Sequence, residues 1–359
     1  MRTHNFGAGP SMLPEPVLQQ IQEEMHDWCS TGMSIIEIGH RTLEFKVLLE
    51  TVEADLRELL AIPDNYYVLF LSGPARSQFA AIPLNLLPPT KTAAYLDTGV
   101  WSHLAIAEAR RFGQVQVAAS SKLEDYKTIP DFKRWNVPDD AAYLYYTANE
   151  TINGTEFPYI PLEGSLPLVC DMTSNILSKP LDISKYGLIF AGAQKNMGAA
   201  GLTVVVVRKE LVGDANELTP TIDNYQILAS NHSLYYTNNT FACYVLGLCL
   251  RWLKDQGGLT AMARHNQRKS EHFYSYLDQS EFYFNEVDKR YRSRMNIPFK
   301  LRDPSLQSKF LEESHNAGFV GLAGHRLVGG LRASLYNAIS ESKVNALLEF
   351  MHDFQRANG

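Results

Sequence analysis

The spacing of hydrophobic and polar residues changes character several times along the chain. Residues 1–14 are rich in glycine and proline and read as an extended, irregular arm. Pro14 and Pro16 then open an amphipathic stretch that runs to about Trp28. Over 42–60 the apolar residues Leu43, Val47, Leu48, Val52, Leu56 and Leu59 recur at helical spacing. Short β-rich runs follow at 66–71, 93–96, 114–118, 142–146, 166–170, 187–191 and 202–207, and helical segments near 76–87 and 101–112 separate the first of them. The run 202–207 is continuously apolar, as a strand covered on both faces would be. Strands alternating with helices predict an α/β fold built on a mainly parallel seven-stranded sheet.

A further helical stretch covers 240–256 and ends at Gly257 and Gly258. Beyond 259 the pattern becomes helix, a β-rich piece at 293–301, helix 304–317, a second β-rich piece at 330–336 and helix 341–356, an α+β grouping. The expected organisation is an arm over 1–14, a large domain over 15–258 and a small C-terminal domain over 259–359.

The length of 359 residues suits two domains, and 45% hydrophobic with 20% charged residues is enough to bury a large core. A net charge of −6 without any run of Lys or Arg longer than two argues against nucleic acid or an anionic membrane as partner. Cys29, Cys170, Cys243 and Cys249 form no Cys-x-x-Cys pair, so neither zinc nor dithiol chemistry is indicated, and no metal is expected. The N-terminus lacks an apolar signal core and no segment has the length of a membrane span, so a cytoplasmic location is expected.

In parallel α/β sheets ligands bind beyond the carboxyl ends of the strands, so the residues that follow each run carry the candidate chemistry. Lys195 follows the run at 187–191 and sits among Ala191, Gly192, Ala193, Gly198 and Ala199. Small neighbours let a planar ligand approach, and desolvation would turn the amine into a nucleophile. A lysine in such a loop is commonly a solvated one; Asp171 changes the reading. It ends the apolar run before Lys195, where a carboxylate entering the core needs a cationic partner, and a helix cap is its competing role. Successive strand ends put the two at one edge. That is the arrangement pyridoxal phosphate requires, with the carboxylate on the pyridinium nitrogen and the lysine holding the cofactor as a Schiff base. The turn from Ser72 through Gly73, Pro74, Ala75, Arg76 and Ser77 leads into a helix whose free N–H groups suit a phosphate. Trp101 could stack on the ring, and Thr151 could bond its phenolic oxygen; their competing roles are core packing and a turn.

Taken together, these segments resemble the phosphoserine aminotransferases, a family of fold-type I pyridoxal-phosphate enzymes related to aspartate aminotransferase, over nearly the whole chain. The resemblance is carried by Asn5-Phe6-Gly7-Ala8-Gly9-Pro10, Gly39-His40-Arg41, Asn149-Glu150-Thr151, Ala191-Gly192-Ala193-Gln194-Lys195-Asn196, Ser293-Arg294-Met295-Asn296 and the segment from Gly324-His325-Arg326 through Arg332 to Asn337. It implies that Lys195 is the Schiff-base lysine, Asp171 the pyridinium partner and Trp101 the stacking ring. Thr151 would contact the cofactor, and Gln194 would reach its phosphate together with Ala75 and Arg76. It further implies a homodimer in which a loop, here Tyr236 and Thr237 with Asn238, Asn239 and Thr240, crosses to the partner's cofactor phosphate. Two places depart from the family pattern. The phosphate turn carries Pro74, Ala75 and Ser77 where glycine is common, and Tyr236 stands where the family has asparagine.

The substrates implied are glutamate and a phosphorylated 2-keto acid, 3-phosphohydroxypyruvate, giving phosphoserine and 2-oxoglutarate in serine biosynthesis. The analogous reaction of pyridoxine biosynthesis is a second candidate. Bidentate arginines suit both anionic ends of such molecules. Arg332 resembles the family's α-carboxylate anchor, and His40, Arg41, His325 and Arg326 would form a cationic pocket for the phosphate or the side-chain carboxylate. The competing readings are another enzyme of this fold, such as an alanine/glyoxylate-type aminotransferase, and a catalytically inactive binding protein.

Overall fold

The computed structural model of the chain describes residues 2–161 and 164–359. All seven runs form one sheet: β1 (Tyr66–Ser72), β2 (Thr92–Asp97), β3 (Gln114–Ser120), β4 (Ala141–Thr147), β5 (Leu168–Asp171), β6 (Leu188–Gly192) and β7 (Leu202–Arg208), in the spatial order β1-β7-β6-β5-β4-β2-β3. Every neighbouring pair is parallel except those of β7, which lies antiparallel to both β1 and β6.

The continuous apolar runs follow from cover on both faces. Alternate residues face opposite ways along a strand, so Val68, Leu144, Cys170, Ile189 and Val204 enter one core while Leu69, Tyr143, Val169, Phe190 and Val205 enter another. Helices Leu43–Leu60 and Thr240–Asp255 cover the first face; Gln78–Leu86 and Val100–Ala109 cover the second. Two of these helices begin where the sequence supplies a cap. Thr42 Oγ1 accepts the Phe45 N–H at 3.3 Å, and Asn239 Oδ1 accepts the Ala242 N–H at 3.0 Å.

The C-terminal segments build a third core around a three-stranded antiparallel sheet of Tyr283–Phe284, Asn296–Leu301 and Leu331–Ser334. Helix Gly258–Gln279 spans two cores, with Leu259 and Met262 in the first and Phe273 and Leu277 in the third. The arm is less irregular than its composition suggests. His4–Asn5 pairs in parallel with Phe319–Val320, and Phe6 and Met12 are buried in the third core. A two-residue strand is too short to show a period, which is why the pattern misses it. No helix among the described residues is long and apolar enough to cross a membrane, and the four cysteines are unpaired.

Phe6 is wholly buried, so Phe6→Ala is expected to destabilise the fold by about 3–5 kcal/mol. Denaturant unfolding followed by tryptophan fluorescence measures this; a cost well under 1 kcal/mol would show that the arm does not share that core.

Candidate active site

β5 and β6 are parallel neighbours in which Asp171 lies opposite Phe190, so the residues after both strands emerge at one edge of the sheet. Asp171 ends β5, and beyond β6 the chain turns through Ala193 and Gln194 to Lys195. Both ionisable groups are buried, with Asp171 7% and Lys195 8% exposed. Asp171 Oδ1 accepts the Thr173 N–H at 2.8 Å, and Thr173 Oγ1 accepts the Gly192 N–H at 3.2 Å, which ties the turn after β5 to the end of β6. Asp171 therefore does serve as a local turn cap while its carboxylate faces the site.

Lys195 Nζ donates to Thr151 Oγ1 at 2.6 Å. Burial pushes its amine down to about 8, a shift that Asp171 opposes and Arg332 reinforces. Burial likewise pushes the Asp171 carboxyl up, while Thr173 and Lys195 pull it back. The lysine backbone is held by the arm: Ser11 Oγ donates to the Lys195 carbonyl at 2.5 Å and the Ser11 N–H to the Gln194 carbonyl at 2.9 Å. Gly9 passes so close, at φ +137°, that a Cβ there would sit 3.4 Å from Lys195 Cγ.

These groups line a cavity of about 370 Å³ together with Ala75, Arg76, Trp101, Thr151, Gln194, His325 and Arg332. Nine of the predicted site residues are thus gathered at one place. Arg332 enters from the small sheet, its N–H bonded to the Leu322 carbonyl at 2.8 Å; burial pushes its guanidinium down from its ordinary value. His325 is pushed down by burial, Arg332 and Arg326.

The remaining predicted residues lie elsewhere in the single chain. Tyr236 packs outside the turn that follows β1, where its hydroxyl accepts the Ser72 N–H at 3.2 Å, and Thr237 is exposed. Arg41 lines a separate groove with Lys46 and His232, His40 is half-buried beside it in sequence, and Arg326 is exposed. The turn itself also differs from expectation. A 3₁₀ turn, Ala75–Ser77, precedes the helix, which starts at Gln78 because Pro74 directs the chain into the tighter turn. Ser77 Oγ donates back to the Pro74 carbonyl at 2.9 Å.

The residues present fit pyridoxal phosphate. Trp101 Nε1, Thr147 Oγ1, Asn149 Oδ1 and Arg332 Nε are buried around the cavity without protein partners, and buried polar atoms call for one. Gly192 lets the Ala75–Ser77 turn come close: a Cβ on it would lie 3.2 Å from Ala75 Cβ and 2.4 Å from Gln194 Oε1. Ser11, Asn149, Thr173 and Glu150 carry no chemical signal of their own in the sequence, although Asn149 and Glu150 belong to the Asn149-Glu150-Thr151 motif and Ala8 and Gly9 to the glycine-rich arm.

The class-V aminotransferase family model matches residues 3–347. The chain belongs to that family. It is 51% identical over 358 residues to the phosphoserine aminotransferase of Pseudomonas paraeruginosa, covering 100% of this chain and 99% of that one. It is 52% identical over 357 residues to that of Hahella chejuensis, covering 99% of each. Among solved structures, the phosphoserine aminotransferase of Bacillus circulans subsp. alkalophilus superimposes with a TM-score of 0.97 at 44% identity, covering 100% of this chain and 99% of that chain. The pyridoxal-phosphate-bound phosphoserine aminotransferase of Trichomonas vaginalis gives 0.93 at 36% identity, covering 98% and 100%.

An amine held near 8 has a substantial neutral fraction at neutral pH, whereas ordinary lysines have about 0.1% or less. In cofactor-free protein, acylation of Lys195 followed by mass spectrometry should rise with pH and level off near 8, while exposed lysines keep rising beyond 10. A Lys195 profile that tracks the exposed lysines would contradict the burial argument.

Proposed function

We propose that the chain is a phosphoserine aminotransferase that moves an amino group reversibly between glutamate and 3-phosphohydroxypyruvate. The observation that carries this is the convergence of Lys195, Asp171 and Arg332 on one cavity. When bound, pyridoxal phosphate supplies an electron sink that acidifies the substrate Cα–H. Lys195 would hold the cofactor and, once freed by a substrate amine, its own amine would be the base that takes the Cα proton and the acid that returns it. Asp171 would hold the ring nitrogen in its protonated form, Trp101 would cover the ring, and Thr151 would bond the phenolic oxygen. Ala75, Arg76 and Gln194 would hold the phosphate.

Arg332 pairs with the α-carboxylate of either substrate, and its burial makes each charge-assisted bond stronger. His325 faces the far anionic end. His40, Arg41, Tyr236, Thr237 and Arg326, which do not line this cavity in their own chain, complete the site from the partner subunit of a homodimer. Support for such an interface comes from the exposed apolar side chains Met33, Ile36, Leu43 and Val47, which flank His40 and Arg41 in sequence. The division at 258 into a cofactor domain and a small domain is supported by the separate third core. The phosphorylated hydroxy-amino acid of pyridoxine synthesis offers the same two anionic ends and is a further substrate. The free thiols accord with the cytoplasm.

Steady-state assays of glutamate with phosphorylated and unphosphorylated keto acids test the substrate. The phosphorylated acid should have by far the higher kcat/KM, and comparable values would overturn the assignment. Arg332→Gln should raise KM for both substrates by roughly 10- to 150-fold, the equivalent of about 1.5–3 kcal/mol. Sharing between subunits is tested by mixing inactive Lys195→Ala with Arg41→Ala after dissociation. Random reassortment should restore about a quarter of the sites, because heterodimers pair an intact Lys195 with an intact Arg41 across the interface; no recovery would contradict a shared site.

A further inference from the structure

Glu150 is 1% exposed and, among the described residues, forms no ion pair. A carboxylate is costly to bury without compensation, and its compensation here is a helix start. Glu150 Oε2 accepts the Trp101 N–H at 2.9 Å and Oε1 the Ser102 N–H at 2.8 Å. Asn153 of the same segment accepts the Val100 N–H through its Oδ1 at 3.0 Å. Three otherwise orphaned donors of helix Val100–Ala109 are therefore met by one segment about fifty residues away in sequence.

Gly99 makes this contact possible through space rather than through backbone angle. A Cβ at Gly99 would lie 2.3 Å from Glu150 Cδ. Asn149 and Thr151 line the cavity while Glu150, between them, turns to the helix. Trp101, which lines the cavity from one side, and Thr151, which holds Lys195 Nζ at 2.6 Å, are thus fastened to each other through a single carboxylate. Burial pushes that carboxyl up to about 7, and the Ser102 and Trp101 donors pull it down; the anion is the stronger acceptor on both oxygens.

We propose that Glu150 is a positioning residue that fixes the Trp101 wall relative to Thr151 and so sets the place of the cofactor ring over Lys195. The proposal rests on the reading of Lys195 and Trp101 given above. Glu150 touches no substrate; it acts through the Trp101 main chain. Glu150→Gln keeps the volume but turns an amide NH₂ toward one of the two backbone donors, so one bond is lost and the helix start is pushed away. Gly99→Ala displaces the same carboxylate from the other side while keeping its charge.

The test uses holoenzyme and cofactor-free protein of wild type, Glu150→Gln, Gly99→Ala and the double variant. In cofactor-free protein, amide hydrogen exchange at Trp101 and Ser102 should accelerate by about tenfold in each variant, with the amides of β4 and β6 unchanged. In holoenzyme, the pH midpoint of the cofactor–lysine absorbance should move in both single variants, and kcat should fall more than KM rises. The double variant should look like either single one, because both break one contact. Should Glu150→Gln fail to fold, Gly99→Ala answers alone. Faster exchange with an unmoved pH midpoint and an unchanged kcat in Gly99→Ala would overturn the proposal and leave Glu150 a brace of the fold. Absence of the lysine-linked absorbance in wild type would instead overturn the reading of Lys195 itself.

Discussion

Everything at this site depends on keeping an amine and a carboxylate out of water at the ends of two adjacent parallel strands. Removing either charge from solvent costs several kcal/mol, and the sheet provides the compensation. Asp171 accepts a hydrogen bond from the Thr173 N–H, Lys195 donates one to Thr151 Oγ1, and each charge favours the ionised form of the other. The net result is an amine lowered to about 8, basic enough to take a proton yet partly free at neutral pH. A solvated lysine could not do both.

The neighbouring elements serve that pair. The arm brings Ser11 to the Lys195 carbonyl and threads Gly9 beneath the side chain, so the N-terminus is part of the lysine's support. Gly192 allows the Ala75–Ser77 turn to approach the end of β6, which places that turn beside the residues leading to the amine. The small antiparallel sheet delivers Arg332 from the opposite side. A buried Asn296 accepts from Asn149, just beyond β4, at 2.8 Å and donates to Ser334 Oγ at 3.0 Å, so the strand bearing Arg332 is registered against the end of β4 by side-chain amides.

Much of this was legible in the sequence because it is periodic or terminal. The seven runs stand out since strands covered on both faces are continuously apolar, and Asp171 and Lys195 stand out because each ends or follows such a run. What was not legible has no period. His4–Asn5 is too short, Ser11 acts through one hydroxyl, and Glu150 contacts a helix about fifty residues earlier. The helix begins at Gln78 rather than near 76 because a 3₁₀ turn at Ala75–Ser77 precedes it, and composition does not distinguish such a turn from a helix start. His40, Arg41 and Tyr236 stand out by motif, but a motif does not say where the fold puts a side chain, and in the single chain they lie away from the cavity.

The central claim, that Lys195 holds the cofactor and gives it up to the substrate amine, is tested most directly by absorbance spectra of the purified holoenzyme. Glutamate should remove the band of the lysine-linked cofactor, and 3-phosphohydroxypyruvate should restore it with release of phosphoserine. A wild-type band unmoved by glutamate, or a Lys195→Ala protein that cycles like wild type, would contradict the account.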